Sequence, residues 1–154
     1  MKVILAFDSF KESISARQAV EAAARGVRAV LPSAEIIGLP LADGGEGTSD
    51  ALCGFMGASL HTCTVHDARM RPVEASYGVS SDGSTAVMDM ASAAGLPLLE
   101  EHLRNPMLTT TFGVGEMMLD AVGRGCRKIL LGIGGSATND GGIGMLAALG
   151  VRFT

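Results

Sequence analysis

Val3-Ile-Leu-Ala-Phe7 is a short, unbroken apolar run that passes directly into Asp8-Ser-Phe-Lys11. Five apolar residues without polar alternation suit a strand covered on both faces, as in a parallel sheet. The next segment has helical spacing. Ser15 and Gln18 have the S-x-x-Q spacing of a capping box. Ala16, Ala19, Val20, Ala23, Val27 and Val30 mark one helical face, and Pro32 lies just past the end. Glu35 to Leu39 reads as a second strand. The loop Leu41-Ala-Asp-Gly-Gly-Glu-Gly-Thr48 follows, and then a helix from about Asp50 to Met56. Strand, helix, strand, glycine loop and helix in succession predict a Rossmann-like, doubly wound α/β unit.

Further along, the texture changes. Ser59–Val65, Val73–Val79 and Thr85–Met90 read as three strands. The Asp82-Gly83 turn between the last two predicts an antiparallel meander. Thr109 to Val122 has helical spacing, with Val114, Met117, Met118, Ala121 and Val122 facing inward. Lys128 to Ile133 is another buried strand. It runs into Gly132-Ile-Gly-Gly-Ser-Ala-Thr-Asn-Asp-Gly-Gly142 and a short helix ending near Leu149. Val151–Thr154 reads as the opening of a further strand, so the sequence is expected to be part of a longer protein. A domain change is placed near Leu60: residues 1–60 form one domain, and residues 61–154 start a mixed-sheet α/β domain.

Composition narrows the function. The chain has 154 residues and is 47% hydrophobic and 18% charged, which excludes disorder. A net charge of −4 gives no nucleic-acid footprint. Glycine, at 21 residues, is about twice its usual share of roughly 7%. Three cysteines without a C-x-x-C pair signal neither a disulfide framework nor a zinc site and suit a reducing, cytoplasmic setting. No apolar run approaches the roughly 18 residues of a membrane span. His61, His66 and His102 have no metal-like spacing.

Chemistry concentrates in loops that follow strands, where open α/β sheets bind ligands. In the first, Asp8 offers a metal ligand or proton acceptor, Ser9 an anion contact at a helix start, and Lys11 a positive point charge for phosphate. The second combines Asp43 and Glu46 with Gly44, Gly45 and Gly47. These glycines admit close backbone approach to a ligand. In the third, Gly134, Gly135, Ser136 and Thr138 could cradle phosphate, with Asn139 and Asp140 offering oxygens to Mg²⁺. It lacks the G-K-[ST] ending of a P-loop. Gly132, Gly134 and Ala137 fit a G-x-G-x-x-A dinucleotide pattern, which keeps a dinucleotide-dependent oxidoreductase as an alternative. The acid expected about 20 residues later is Arg152, however. Arg69, in the turn after the first meander strand, is a further candidate anion contact.

Four stretches together resemble the N-terminal part of a type-1 glycerate kinase: Asp8-Ser-Phe-Lys-Glu-Ser13, Leu39-Pro-Leu-Ala-Asp-Gly-Gly-Glu-Gly-Thr48, Arg104-Asn-Pro-Met-Leu-Thr-Thr-Thr111 and Gly132 to Gly142. The resemblance implies ATP-dependent, Mg²⁺-assisted phosphorylation of D-glycerate to 2-phosphoglycerate or 3-phosphoglycerate. It also implies a discontinuous Rossmann-like domain with a mixed-sheet domain inserted into it, in proteins more than twice this length. Carried onto this sequence, Lys11 neutralises phosphate or the glycerate carboxylate, and Asp43 or Asp8 accepts the hydroxyl proton. Asp140 and Glu46 are the candidate metal ligands. A catalytically inactive anion-binding fragment, which self-associates through apolar surface, is the other alternative.

Overall fold

A computed structural model describes residues 1–10, 13–44 and 47–154. The chain forms two compact units, Met1–Asp43 and Gly44–Thr154. This division precedes the position near Leu60 read from sequence. The reason is that the helix after the second glycine loop packs on the strands of the second unit.

The first unit is a β-α-β element. β1 (Lys2–Phe7) and β2 (Glu35–Pro40) pair in parallel, Lys2 against Glu35 through Phe7 against Pro40. α1 (Ala16–Val30) joins them. Its capping box forms as the sequence predicts: the Gln18 N–H donates to Ser15 Oγ at 3.2 Å, and the Ser15 N–H donates to Gln18 Oε1 at 2.9 Å. Two otherwise unpaired helix donors are thus satisfied. Val20 and Ala24 of α1 pack with Leu5, bordered by Val3, Phe7, Val27 and Ile36. Val30 ends the helix exposed rather than facing inward.

The second unit is a four-stranded mixed sheet in the order β3 (Ser59–His66), β4 (Pro72–Val79), β5 (Thr85–Asp89), β6 (Lys128–Gly132). The first three strands form the antiparallel meander, with Gly83 at φ 71° in the predicted Asp-Gly turn. β6 joins β5 in parallel after a long crossover. That crossover contains α3 (Ala91–Ala94), three short 3₁₀ turns and α4 (Phe112–Gly123). α2 (Thr48–Met56) precedes the sheet, and α5 (Ile143–Ala148) follows β6.

Side chains alternate across the sheet. Tyr77, Val79, Ala86 and Met88 meet Val114, Met117 and Ala121 of α4 in the main core. Gly78 belongs to the other face, where the Cys53 sulfur of α2 occupies the space a Cβ would need. Each large apolar side chain fully buried here stabilises the unit by about 1.5–3 kcal/mol over its exposed state. Buried Tyr77 donates its hydroxyl to Asp120, which also accepts from Arg124 Nε at 2.8 Å.

Three local readings change. α4 starts at Phe112, not Thr109, because Thr109 and Thr111 are extended or capping residues bonded to the segment after β6. Val122, near its end, is exposed. Val151–Thr154 forms no strand: the Val151 N–H instead donates to Leu146 O at 3.0 Å, closing the end of α5.

α4 crosses the end of β3 at Gly113, where a Cβ would overlap the His66 carbonyl oxygen. Both partners are backbone, so neither can rotate away. Gly123, at the far end of the same helix, has open space around it. Gly113→Ala should therefore destabilise the second unit by roughly 2–3 kcal/mol. Gly123→Ala should be neutral or stabilising by up to about 1 kcal/mol. Urea denaturation of both variants checks the contrast, and equal midpoints would contradict it.

Candidate functional site

In the second unit, the parallel β5–β6 pair brings two loops together. Its register places Asp89 opposite Gly132 at the carboxyl end of both strands. The Asp89 side chain is only 4% exposed. Its Oδ1 accepts from the Ser49 N–H (3.0 Å), and its Oδ2 from the Gly47 N–H (3.1 Å) and Ser49 Oγ (2.9 Å). The start of α2 thus hangs from the end of β5. Burial pushes the Asp89 carboxyl above its ordinary range, and the donors from Ser49 and Gly47 oppose that shift. The Gly134 N–H donates to Gly44 O at 2.8 Å, which fastens the second glycine loop beside the third. Gly44 N–H in turn donates to Thr48 Oγ1 at 3.1 Å.

The third loop is held along its length. Gly135 O accepts from Leu96 N–H, and Ala137 N–H donates to Ala94 O. Thr109 Oγ1 donates to Ala137 O at 2.9 Å. Ser136 Oγ and Thr138 Oγ1 lie 2.6 Å apart in one hydrogen bond. Asn139 is exposed. Among the described residues, the N–H groups of Asn139 and Gly141 have no acceptor. These donors and hydroxyls are the parts of the loop suited to an anion.

Asp140 has a different task from the one its sequence context suggests. Its carboxylate accepts from Thr111 N–H and Oγ1, Thr110 Oγ1, Gly142 N–H and Gly144 N–H. Thr111 Oγ1 meanwhile accepts from Met145 N–H at 2.9 Å. One carboxylate therefore occupies the donor-rich starts of both α4 and α5, where a helix otherwise attracts a ligand anion. Desolvation raises its carboxyl, but the hydrogen bonds from Thr111, Gly142 and Gly144 outweigh that and hold it below the ordinary value.

A magnesium site does not fit Asp140, since a metal would have to displace these donors. Among the described residues, no group of three or more His, Cys, Asp or Glu side chains is placed to hold a metal ion.

In the first unit, β1 and β2 bring their carboxyl ends side by side, and Leu41 N–H donates to Phe7 O at 2.8 Å. Asp8 and Asp43, both exposed, follow these two strands. Asp8 Oδ1 accepts from the Ser9 N–H at 2.6 Å. Lys11, Gly45 and Glu46 lie outside the described residues.

Arg69 occupies a strained turn. The buried Asp67 accepts from the Arg69 and Arg71 N–H groups and from Arg71 Nε. Burial raises the Asp67 carboxyl, but the bonds from Arg71 and Arg69 bring it below its usual range. Met70 is held at φ 62°, the one non-glycine residue with positive φ among those described. Arg71, not Arg69, is the ion-pair partner of Asp67 and also reaches Glu100. Arg69 Nη1 donates to Leu108 O at 2.9 Å, which ties it to the Arg104–Thr111 stretch.

A family model described as the glycerate kinase family matches residues 3–154. The chain belongs to the glycerate kinase family. It is 48% identical to a glycerate kinase of Bacillus cereus over 99% of this chain and 40% of that protein. It is 45% identical to the glycerate 2-kinase of Escherichia coli, with the same coverage. A crystal structure assigned as glycerate kinase 2 from Salmonella typhimurium superposes with a TM-score of 0.84 at 43% identity. That match covers 100% of this chain and 42% of the other. The chain thus spans about two-fifths of the length of the relatives it matches.

Membership in this family displaces the dinucleotide reading of Gly132, Gly134 and Ala137. The loop geometry agrees, because Gly134 and Ala137 spend their N–H groups on Gly44 and Ala94. Asp89 and Ser49 are the residues the sequence reading missed. The available signal was a lone carboxylate ending an apolar strand, since a buried charge requires partners.

The Asp140 network predicts how stability responds to substitution and pH. Asp140→Asn should cost about 1.5–3 kcal/mol at neutral pH, the usual scale for hydrogen bonds to a charged group. The folded carboxyl has the lower pKa, so its contribution is present above the unfolded value of about 3.9. It is lost as pH falls through the folded value. The stability gap between wild type and variant should therefore close below about pH 4. Thermal melts from pH 3 to 7 check this, and a pH-independent gap would contradict it.

Proposed function

We propose that these residues form the N-terminal portion of an enzyme that phosphorylates D-glycerate with ATP, giving 2-phosphoglycerate or 3-phosphoglycerate. The observation that carries the reading is the Gly132–Gly142 loop, held rigidly at the end of β6 with donors left over for an anion. Phosphoryl transfer relies on positioning and charge neutralisation, and a braced glycine loop supplies the first.

In this reading Gly134 and Gly135 allow close approach of phosphate, and Ser136, Thr138 and Asn139 donate to its oxygens. Gly44 borders the same region through its bond from Gly134, and Gly45 is assigned with it to phosphate. Ser9 and Lys11 meet the second anionic group, the glycerate carboxylate or a phosphate. Asp43, or else Asp8, takes the proton from the attacking hydroxyl. Asp140 acts by holding Thr111 and the turn before α5 in place. Arg69, fixed by its bond to Leu108, offers its remaining guanidinium donors to an acidic group.

ATP would supply the phosphoryl group, with Mg²⁺ as the companion of its phosphates. Magnesium commonly takes only one or two protein carboxylates, and Glu46 is the candidate kept for it.

A cytoplasmic setting and small-molecule partners belong to the same proposal. No described helix is long and apolar enough to cross a membrane. The self-association expected from sequence belongs to the proposal as well.

The test is ADP release from ATP, D-glycerate and Mg²⁺, run in parallel on this chain and on the Escherichia coli glycerate 2-kinase. Turnover by both is the expected result if these residues hold the whole catalytic set. Turnover by the longer protein alone assigns this chain the anion-binding part only. Loss of turnover from the longer protein when the residue matching Asp43 becomes Asn is expected; unchanged turnover would remove that residue from proton transfer.

A further inference from the structure

The buried carboxylate of Asp89 has no place in the chemistry described so far. It lies at the end of an otherwise apolar strand, where an isolated charge is costly. Three donors from one short segment converge on it: the Gly47 N–H, the Ser49 N–H and Ser49 Oγ. α2 has Gly47 as its N-cap, in the left-handed region at φ 88°, and no capping side chain of its own. Asp89, some forty residues further along the chain, performs that service.

The opposite strand is shaped around the same anchor. A Cβ on Gly132 would come within 3.0 Å of Asp89 Oδ1 and 2.9 Å of Gly44 O. The strand end therefore leaves room for the Gly44 carbonyl, which accepts the Gly134 N–H. Through these bonds the turn at Gly47–Ser49, the backbone at Gly44 and the start of the third loop form one continuous structure.

We infer that Asp89 is a positioning residue for phosphate handling: it holds Gly44 and the Gly47–Ser49 turn against Gly134, so that the backbone at Gly44 and the start of the third glycine loop meet a nucleotide phosphate as one preorganised surface. This rests on the kinase reading above. Asp89 touches no substrate itself. It differs from Asp140, which braces the far end of the third loop.

The discriminating experiment is an amide NMR titration of this chain with ADP, with melting temperatures recorded in parallel. In the wild type, ADP should shift the amides of Gly44, Gly134 and Gly135 together. Asp89→Asn keeps the shape but replaces one acceptor oxygen with a donor. It should lose hydrogen-exchange protection at Gly47 and Ser49 and weaken ADP binding at least tenfold, with a melting temperature lowered by several degrees but a single cooperative transition retained. If Asp89→Asn does not fold, Ser49→Ala carries the test: it removes one donor of three and should weaken binding about threefold. Unchanged ADP affinity in a folded variant would overturn the inference and leave the kinase reading intact. An absence of ADP-dependent shifts in the wild type would overturn both.

Discussion

The parallel pairing of β5 with β6 places Asp89 opposite Gly132, and the rest of the second unit is organised by that register. Parallel strands that end together leave two chain segments departing from the same sheet end. Here one departs as a side chain that reaches back to α2, and the other as a glycine loop that runs toward α5. A one-residue slip would turn Asp89 to the opposite face and remove the anchor of α2. The glycine at 132 and the carboxylate at 89 are therefore two halves of one packing solution.

Two acidic side chains do similar work at different helix ends. Asp89 meets the start of α2, and Asp140 meets the starts of α4 and α5. A helix start presents unpaired N–H groups and a partial positive charge. By filling these positions with its own carboxylates, the protein fixes where these helices begin. Among the described residues, the backbone donors of Asn139 and Gly141 in the third loop have no acceptor. Internal anions thus set the shape of the site while leaving its exposed rim polar.

What was legible in the sequence divides along the range of the interactions. The Ser15–Gln18 cap, the β-α-β order and the Asp82-Gly83 hairpin depend on neighbours a few residues apart, and each is recovered. The start of α4 is misread because Thr109–Thr111 has helical spacing but bonds to Ala137 and Asp140, some thirty residues away. The boundary near Leu60 follows a change in texture, whereas the contacts of α2 with β4 and β5 set the division at Gly44. Asp140 reads as a free acid because a sequence does not show that its lone pairs are already used. Asp89 escapes notice for the converse reason, being embedded in a run that looks like ordinary core.

The chain contains one tyrosine and no tryptophan, and Tyr77 is fully enclosed in the core of the second unit. Burial, reinforced by donation to Asp120, raises the phenol's ionisation well above its ordinary range. Its near-ultraviolet absorbance and emission are consequently a built-in label for one half of the molecule. Unfolding curves recorded through tyrosine absorbance or emission follow the mixed sheet and are silent on the β-α-β unit, whose helix α1 needs a backbone signal to be seen.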